Sequence, residues 1–217
     1  MPAAMTFNSL KGDIARYLER ANNATSDPLV YAQLPSLINL AERRIAHDLK
    51  IQGIQETVVG TFDTGVATYA KPDRWRQTIS FNYGTGTGNR TRNQIFPRVY
   101  EYLLFYWPDD SQVAKPLFYA DYDAQHWKFA PTPDGVYPFE CLYYQLPVLL
   151  DDTTQTNWLT EYLPDCLLYA SLFETAAYIK NGEEMGKWKG FYDDSKASIK
   201  AEDMGKIVDR TSTRTGA

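Results

Sequence analysis

The chain has 217 residues, 44% of them hydrophobic, which is enough for one domain or for a core carrying an inserted lobe. Its net charge is −5, from 27 acidic and 22 basic residues, so it cannot hold DNA through bulk charge as a dedicated nucleic-acid binder does. The opening MPAAMTFNSLKGD lacks a basic stretch followed by an apolar run, and no apolar run approaches the roughly 20 residues of a membrane span; neither a signal peptide nor a membrane association is expected.

The first 50 residues read as helical. Leu10, Ile14 and Leu18 form one apolar stripe. Asp27 before Pro28 is a helix start, and Pro35 marks a second one. After it, Leu37, Ile38, Ala41, Ile45 and Leu49 repeat at three- and four-residue steps. From about Gly53 the pattern turns to β. ETVVGTF and VATYA are short strands around Asp63-Thr64-Gly65, and RQTISFNY alternates. FPRVYEYLLFYWPDD reads as a helix stopped at Trp107-Pro108. PLFYADYDAQHWKFAPTPD reads as a hairpin around Asp123-Ala124-Gln125, and PFECLYYQL as the last strand. Helical patterning returns at Thr156-Asn157-Trp158. Leu167, Ala170, Phe173 and Ala177 mark a central helix started by Pro164, with Phe173 expected to be fully buried. Asn181-Gly182 suits a reversal into a helix carrying Met185, Trp188, Tyr192 and Ile199. The tail VDRTSTRTGA has too little to bury and is expected to have no structure alone.

The expected fold class is therefore α+β: a helical bundle formed by the N- and C-terminal helices, with an inserted β-rich lobe. The expected boundaries are 1–52 and 155–217 for the bundle, including a C-terminal arm, and 53–154 for the lobe with one short helix. Cys141 and Cys166 sit among apolar residues and read as buried free thiols, with a disulfide as the alternative.

Sites for chemistry are sparse. The stretch Gly84 to Asn93 is rich in glycine, but it lacks the Gly-Lys-Ser/Thr ending of a phosphate loop and reads as an exposed hairpin tip. Asp109-Asp110, Asp121/Asp123 and Asp151-Asp152 sit in turn-like contexts. His47 and His126 are the only histidines, too few for a His-rich metal site, and no Gly-x-Ser-x-Gly elbow occurs. No catalytic residue, metal or cofactor is expected. Charge is segregated: residues 71–98 are basic and 101–152 acidic, which fits complementarity between neighbouring copies as well as ordinary solvated surface. The aromatic residues Tyr119, Tyr122, Trp127, Phe129, Tyr137, Phe139, Tyr143 and Tyr144 alternate along the strands, as a lobe core or a sugar-stacking platform would.

Four stretches in order resemble the head–tail adaptor, or connector, proteins of tailed and especially short-tailed phages. They are LPSLINLAERRIAHDLKI at 34–51, RVYEYLLFYWPD at 98–109, PLFYADYDAQHWKFAPTPDGVYPFECLYYQLPVLLDD at 116–152, and TNWLTEYLPDCLLYASLFETAAYIKNGEEMGKWKGFYDD at 156–194. The resemblance implies a structural virion protein at the neck, assembled in the host cytoplasm and not an enzyme. It implies a homo-oligomeric ring, usually twelve-fold, between the portal protein and a tail or nozzle protein. Genomic DNA would pass through without sequence-specific binding. A C-terminal extension commonly reaches the portal, and here Met204, Ile207 and Val208 sit at helical spacing off the preceding stripe, followed by Arg210 and Arg214. These five are the expected portal-docking residues; Arg90 and Arg92 are the expected contacts of the glycine-rich loop with an acidic partner or DNA. Two other functions weighed are a carbohydrate-binding tail component using the aromatic strands, and a virion-associated cell-wall hydrolase using acids such as Glu101 and Glu140.

Overall fold

The structure is a computed structural model and describes residues 5–85 and 91–212. Contacts divide the chain into two compact units, Met1–Ile54 with Leu146–Ala217, and Gln55–Gln145.

The first unit is helical. Helix α1 spans Phe7–Tyr17, and Thr6 and Ser9 form a reciprocal capping box at its start. Its end closes as a Schellman turn: Glu19 takes a φ of 53°, and Arg20 N–H donates to the Ala15 carbonyl at 2.8 Å. Helix α2 spans Pro28–Asp48, with the Asp27 carboxylate accepting from Val30 N–H. The break expected at Pro35 is absent: α2 runs through it. Pro35 forgoes one backbone bond, but Leu34, Ile38 and Ala41 on either side are at most 1% exposed, and their burial outweighs that loss.

Three further helices complete the unit: α4 at Trp158–Tyr162, α5 at Pro164–Tyr178 and α6 at Gly182–Ser212; α3 belongs to the other unit. α5 packs against α1, α2 and α6, so it is central. Its buried positions include Leu167, Ala170, Leu172 and Ala176. Phe173 is only partly buried, under Arg44, and Ala177 is exposed, so the buried side is rotated from the stripe read in the sequence. The α5–α6 reversal is a second Schellman turn. Lys180, not Gly182, takes the left-handed φ of 58°, and Asn181 N–H donates to the Ala176 carbonyl. Trp188 and Tyr192 of α6 are buried as their spacing predicts. The segment expected to lack structure from Val208 is instead helical backbone as far as Ser212.

Among its described residues the second unit holds nine strands and α3. The strands are β1 Gln55–Phe62, β2 Thr68–Ala70, β3 Trp75–Thr85, β4 Thr91–Pro97, β5 Val113–Ala114, β6 Phe118–Asp121, β7 His126–Ala130, β8 Thr132–Pro133 and β9 Tyr137–Gln145. Helix α3 spans Tyr100–Tyr106 and ends, as expected, before Pro108. Seven strands form one curled sheet in the order β1-β9-β3-β4-β6-β7-β2. β9 lies between β1 and β3, antiparallel to both, and β4 pairs with β6 in parallel. The concave face collects aromatic rings: Phe62, Phe81, Trp127 and Phe129 are at most 1% exposed, and Phe81 lies within 4.9–5.6 Å of Phe129, Trp127, Phe139 and Tyr119. Thr78 hydroxyl accepts from both the Trp75 and Trp127 indoles.

This corrects the expected architecture of a helical bundle with an inserted lobe. The chain is a mixed α+β protein, 44% helix and 26% strand, in which the curled seven-stranded sheet is a principal element with a core of its own. The sequence concealed this because β4 lies partly inside the glycine-rich stretch, and because β9's insertion between β1 and β3 and the β4–β6 pairing join segments far apart in the chain.

Among the described residues, Glu42 is the one charged residue among the buried side chains of the helical unit, at 0% exposure. Its carboxylate accepts from Leu150 N–H at 3.1 Å and from the Asn157 amide at 2.5 Å. The Asn39 amide, oriented nitrogen inward, donates to Glu42 and to the Leu150 carbonyl, each at 3.0 Å. Burial pushes Glu42 up to about 7, while the bonds from Leu150 and Asn157 pull the other way. The folded protein therefore keeps a proton that the unfolded chain has lost between pH 4.5 and 7. Stability must fall by roughly 3 kcal/mol as pH rises through that window. Glu42→Gln keeps an acceptor for Leu150 and removes the titration. Denaturant midpoints should show the variant gaining on the native protein from pH 5 to pH 7.5; parallel curves would place the titration elsewhere.

Candidate functional site

The carboxylates proposed for hydrolysis have structural work. Asp109 accepts from Ser111 N–H at 2.9 Å, Asp123 from Gln125 and His126 N–H, and Asp151 from Thr153 N–H. The His126 ring with these N–H groups lowers Asp123, the Thr153 hydroxyl with its N–H lowers Asp151, and the Ser111 N–H lowers Asp109 below the usual carboxylate value. Glu140 pairs with Arg92 at 3.2 Å, and Glu101 is exposed in the first turn of α3. Of the strand aromatics read as a sugar platform, Trp127, Phe129, Tyr119 and Tyr143 are core at 1–4% exposure, and Tyr137, Phe139 and Tyr144 are partly buried. Of that set, Tyr122 alone is exposed. Cys141 and Cys166 are free and buried, and burial raises their thiols to about 12 and about 11, away from reactivity. Among the described residues, no group of three or more His, Cys, Asp or Glu could hold a metal ion, and no helix is long and apolar enough to cross a membrane.

What the two units offer instead is surface. In the helical unit, α6 is 31 residues long, about 46 Å, twice the length of α5. Asp203 near its far end accepts from Gln52 N–H at 3.4 Å. One residue later Met204 is 60% exposed. Ile207, Val208 and Arg210 continue on the same helix, with side chains outside the described residues; Arg214 lies outside them entirely. The helix thus carries four of the five expected docking residues on one element. In the sheet unit, Arg92 is in β4, opposite Gly84 of β3, so the ends of the glycine-rich stretch are paired strand. Arg90 lies outside the described residues.

A surface missed in the sequence surrounds α3. Leu103 is buried against Ala120 and Ala130, yet Leu104, Phe105 and Tyr106 are 44%, 79% and 56% exposed, and Val99 beside them is 67% exposed. The signal was present: YEYLLFY is apolar on every side, more than a helix resting on a sheet by one face can bury.

Both units present exposed apolar side chains, at α3 and at Met204 of α6. The chain belongs to the SU10 adaptor protein family, whose model matches residues 5–215. Family membership makes it a phage head–tail adaptor, a structural component of the virion. No curated protein matches the chain.

The α3 surface separates contact from stability. Phe105→Ala should change the thermal midpoint negligibly, within about 0.5 kcal/mol, because its ring is mostly in water. Leu103→Ala, at 2% exposure, should cost about 2–5 kcal/mol. Equal losses in a melting experiment would mean that Phe105 supports the fold.

Proposed function

We propose that copies of this chain form a ring at the virion neck, joining the portal to a tail or nozzle protein around the path of the DNA, and that α6 is the arm that docks on the portal. The observation that carries this reading is the length of α6: its last turns extend beyond Asp203, beginning with the exposed Met204. An exposed apolar side chain on a long helix suits a groove on another protein. Arg210 and Arg214 would add donors for an acidic rim. A ring of about twelve copies, the number implied by the resemblance to connectors, would present many such helices at once, and avidity would make weak single contacts strong. An acidic chain suits a channel through which DNA slides without being gripped. Assembly in the host cytoplasm and a short-tailed virion fit the same reading. The burial of the strand aromatics and the turn roles of the carboxylates leave the glycan-binding and hydrolase readings without support.

Truncation after Asp203 tests the arm. The truncated protein should melt within about 1 kcal/mol of the full chain, because the core positions of α6 lie at Tyr192 and before. It should no longer sediment with portal rings. Portal binding unimpaired by the truncation would remove α6 as the arm.

A further inference from the structure

The curled sheet ends on two unlike strands. Its order sets β2 at one edge and β1 at the other. β2 is three residues long and is followed at once by Lys71 and Pro72, a short edge of the kind that resists pairing. β1 is eight residues long and pairs with β9 without a bulge, from Gln55 opposite Tyr144 to Phe62 opposite Tyr137. Among the described residues β9 is its only strand partner, so the backbone N–H and C=O groups that point away from β9 form an open edge.

β1 carries none of the side chains that usually close such an edge. Its sequence QETVVGTF has no Lys, Arg or Pro, and Glu56 is its one charge. Thr57, Val58, Val59 and Thr61 are β-branched, which favours extended backbone. The two faces of the strand differ. Val58 and Phe62 turn to the ring core, while Thr57, Val59 and Thr61 stand exposed on the other face, Val59 at 73%.

An open edge takes an extended strand, and the residues of β1 suit a second β1. We propose that β1 pairs antiparallel with β1 of a second copy of the chain, about a two-fold axis through Val59. This register sets Val59 against its equivalent and Thr57 against Thr61 of the other copy, so every opposed pair on the outer face is β-branched. On the core side Val58 meets Gly60, and Glu56 meets Phe62. The one charge of each strand therefore meets no like charge. A shift by one residue would set the ring core of one copy on the side of the other's outer face. A two-fold contact closes on two copies and cannot propagate, so it belongs to the free protein, where it covers an edge that would otherwise recruit other strands. It goes beyond the ring reading and stands or falls apart from it.

Light scattering over a concentration series, on the full-length protein without portal, tests the contact. The native chain should pass from monomer to dimer. Val59→Lys sets like charges at the axis and should raise the dissociation constant of the dimer about tenfold or more. Thr57→Lys with Thr61→Lys should do the same. Thr57→Lys with Thr61→Glu sets opposite charges across the axis and should dimerise at least as well as the native chain. Val59→Cys should give a disulfide-linked dimer on mild oxidation and Val58→Cys should not; the native Cys141 and Cys166 are buried and do not compete. Circular dichroism melting verifies that each variant folds. A native chain that stays monomeric at every concentration, or a dimer that Val59→Lys leaves intact, overturns the contact while the ring reading stands.

Discussion

Glu42 stands where the beginning and end of the chain must meet. α2 supplies it from the first 50 residues; Leu150 and Asn157, which hold it, come from the return of the chain after the sheet unit. Asn157 also caps α4 through Leu159 and Thr160 N–H and donates to the Val148 carbonyl. One buried carboxylate thus fixes the segment from Val148 to Thr160 against α2, and the segment positions α4 and then α5. An apolar residue at 42 would leave the Leu150 N–H and the Asn157 amide buried without that acceptor, which is the costly way to lose a hydrogen bond. α1 is tied to the same segment, since Phe7 N–H donates to the Gln155 carbonyl at 2.8 Å.

The two units solve burial with different chemistry. The helical unit uses aliphatic side chains with a few polar groups satisfied locally: Ser171 and Thr175 donate to the carbonyls one turn back at 2.7 Å. The sheet unit uses rings, whose mutual edge-to-face contacts and indole bonds to Thr78 give a small curled sheet a rigid interior. Rigid units suit an adaptor, which must hold its surfaces in fixed places while neighbours assemble on them. The cost is visible at α3, where apolar rings remain in water.

Much of this was legible in the sequence. Helix starts were written by local chemistry: Asp27-Pro28, Asn157 and Pro164 fall where they cap or begin helices. The β6–β7 hairpin was written by Asp123, whose side chain accepts from the N–H groups of Gln125 and His126. The order of four motifs carried the resemblance to the adaptor family. Local signals misled where burial competed with them: Pro35 lies within a continuous helix, and Lys180 rather than Gly182 takes the left-handed turn, because the Schellman bonds fix which residue must turn.

The sequence by itself determined which segments are helix and which are strand over most of the chain, and the family, because caps, turns and apolar spacing act over a few residues. Only the tertiary structure decided that seven strands make one curled sheet with β9 between β1 and β3, that α5 turns Leu172 rather than Ala177 to the core, and that Glu42 is the buried tie between distant segments. Those outcomes are set by contacts between residues up to 115 positions apart. Exposure is likewise a property of the folded whole: Phe105 and Phe81 are the same side chain in sequence, and the sheet's curl buries one while leaving the other 79% exposed.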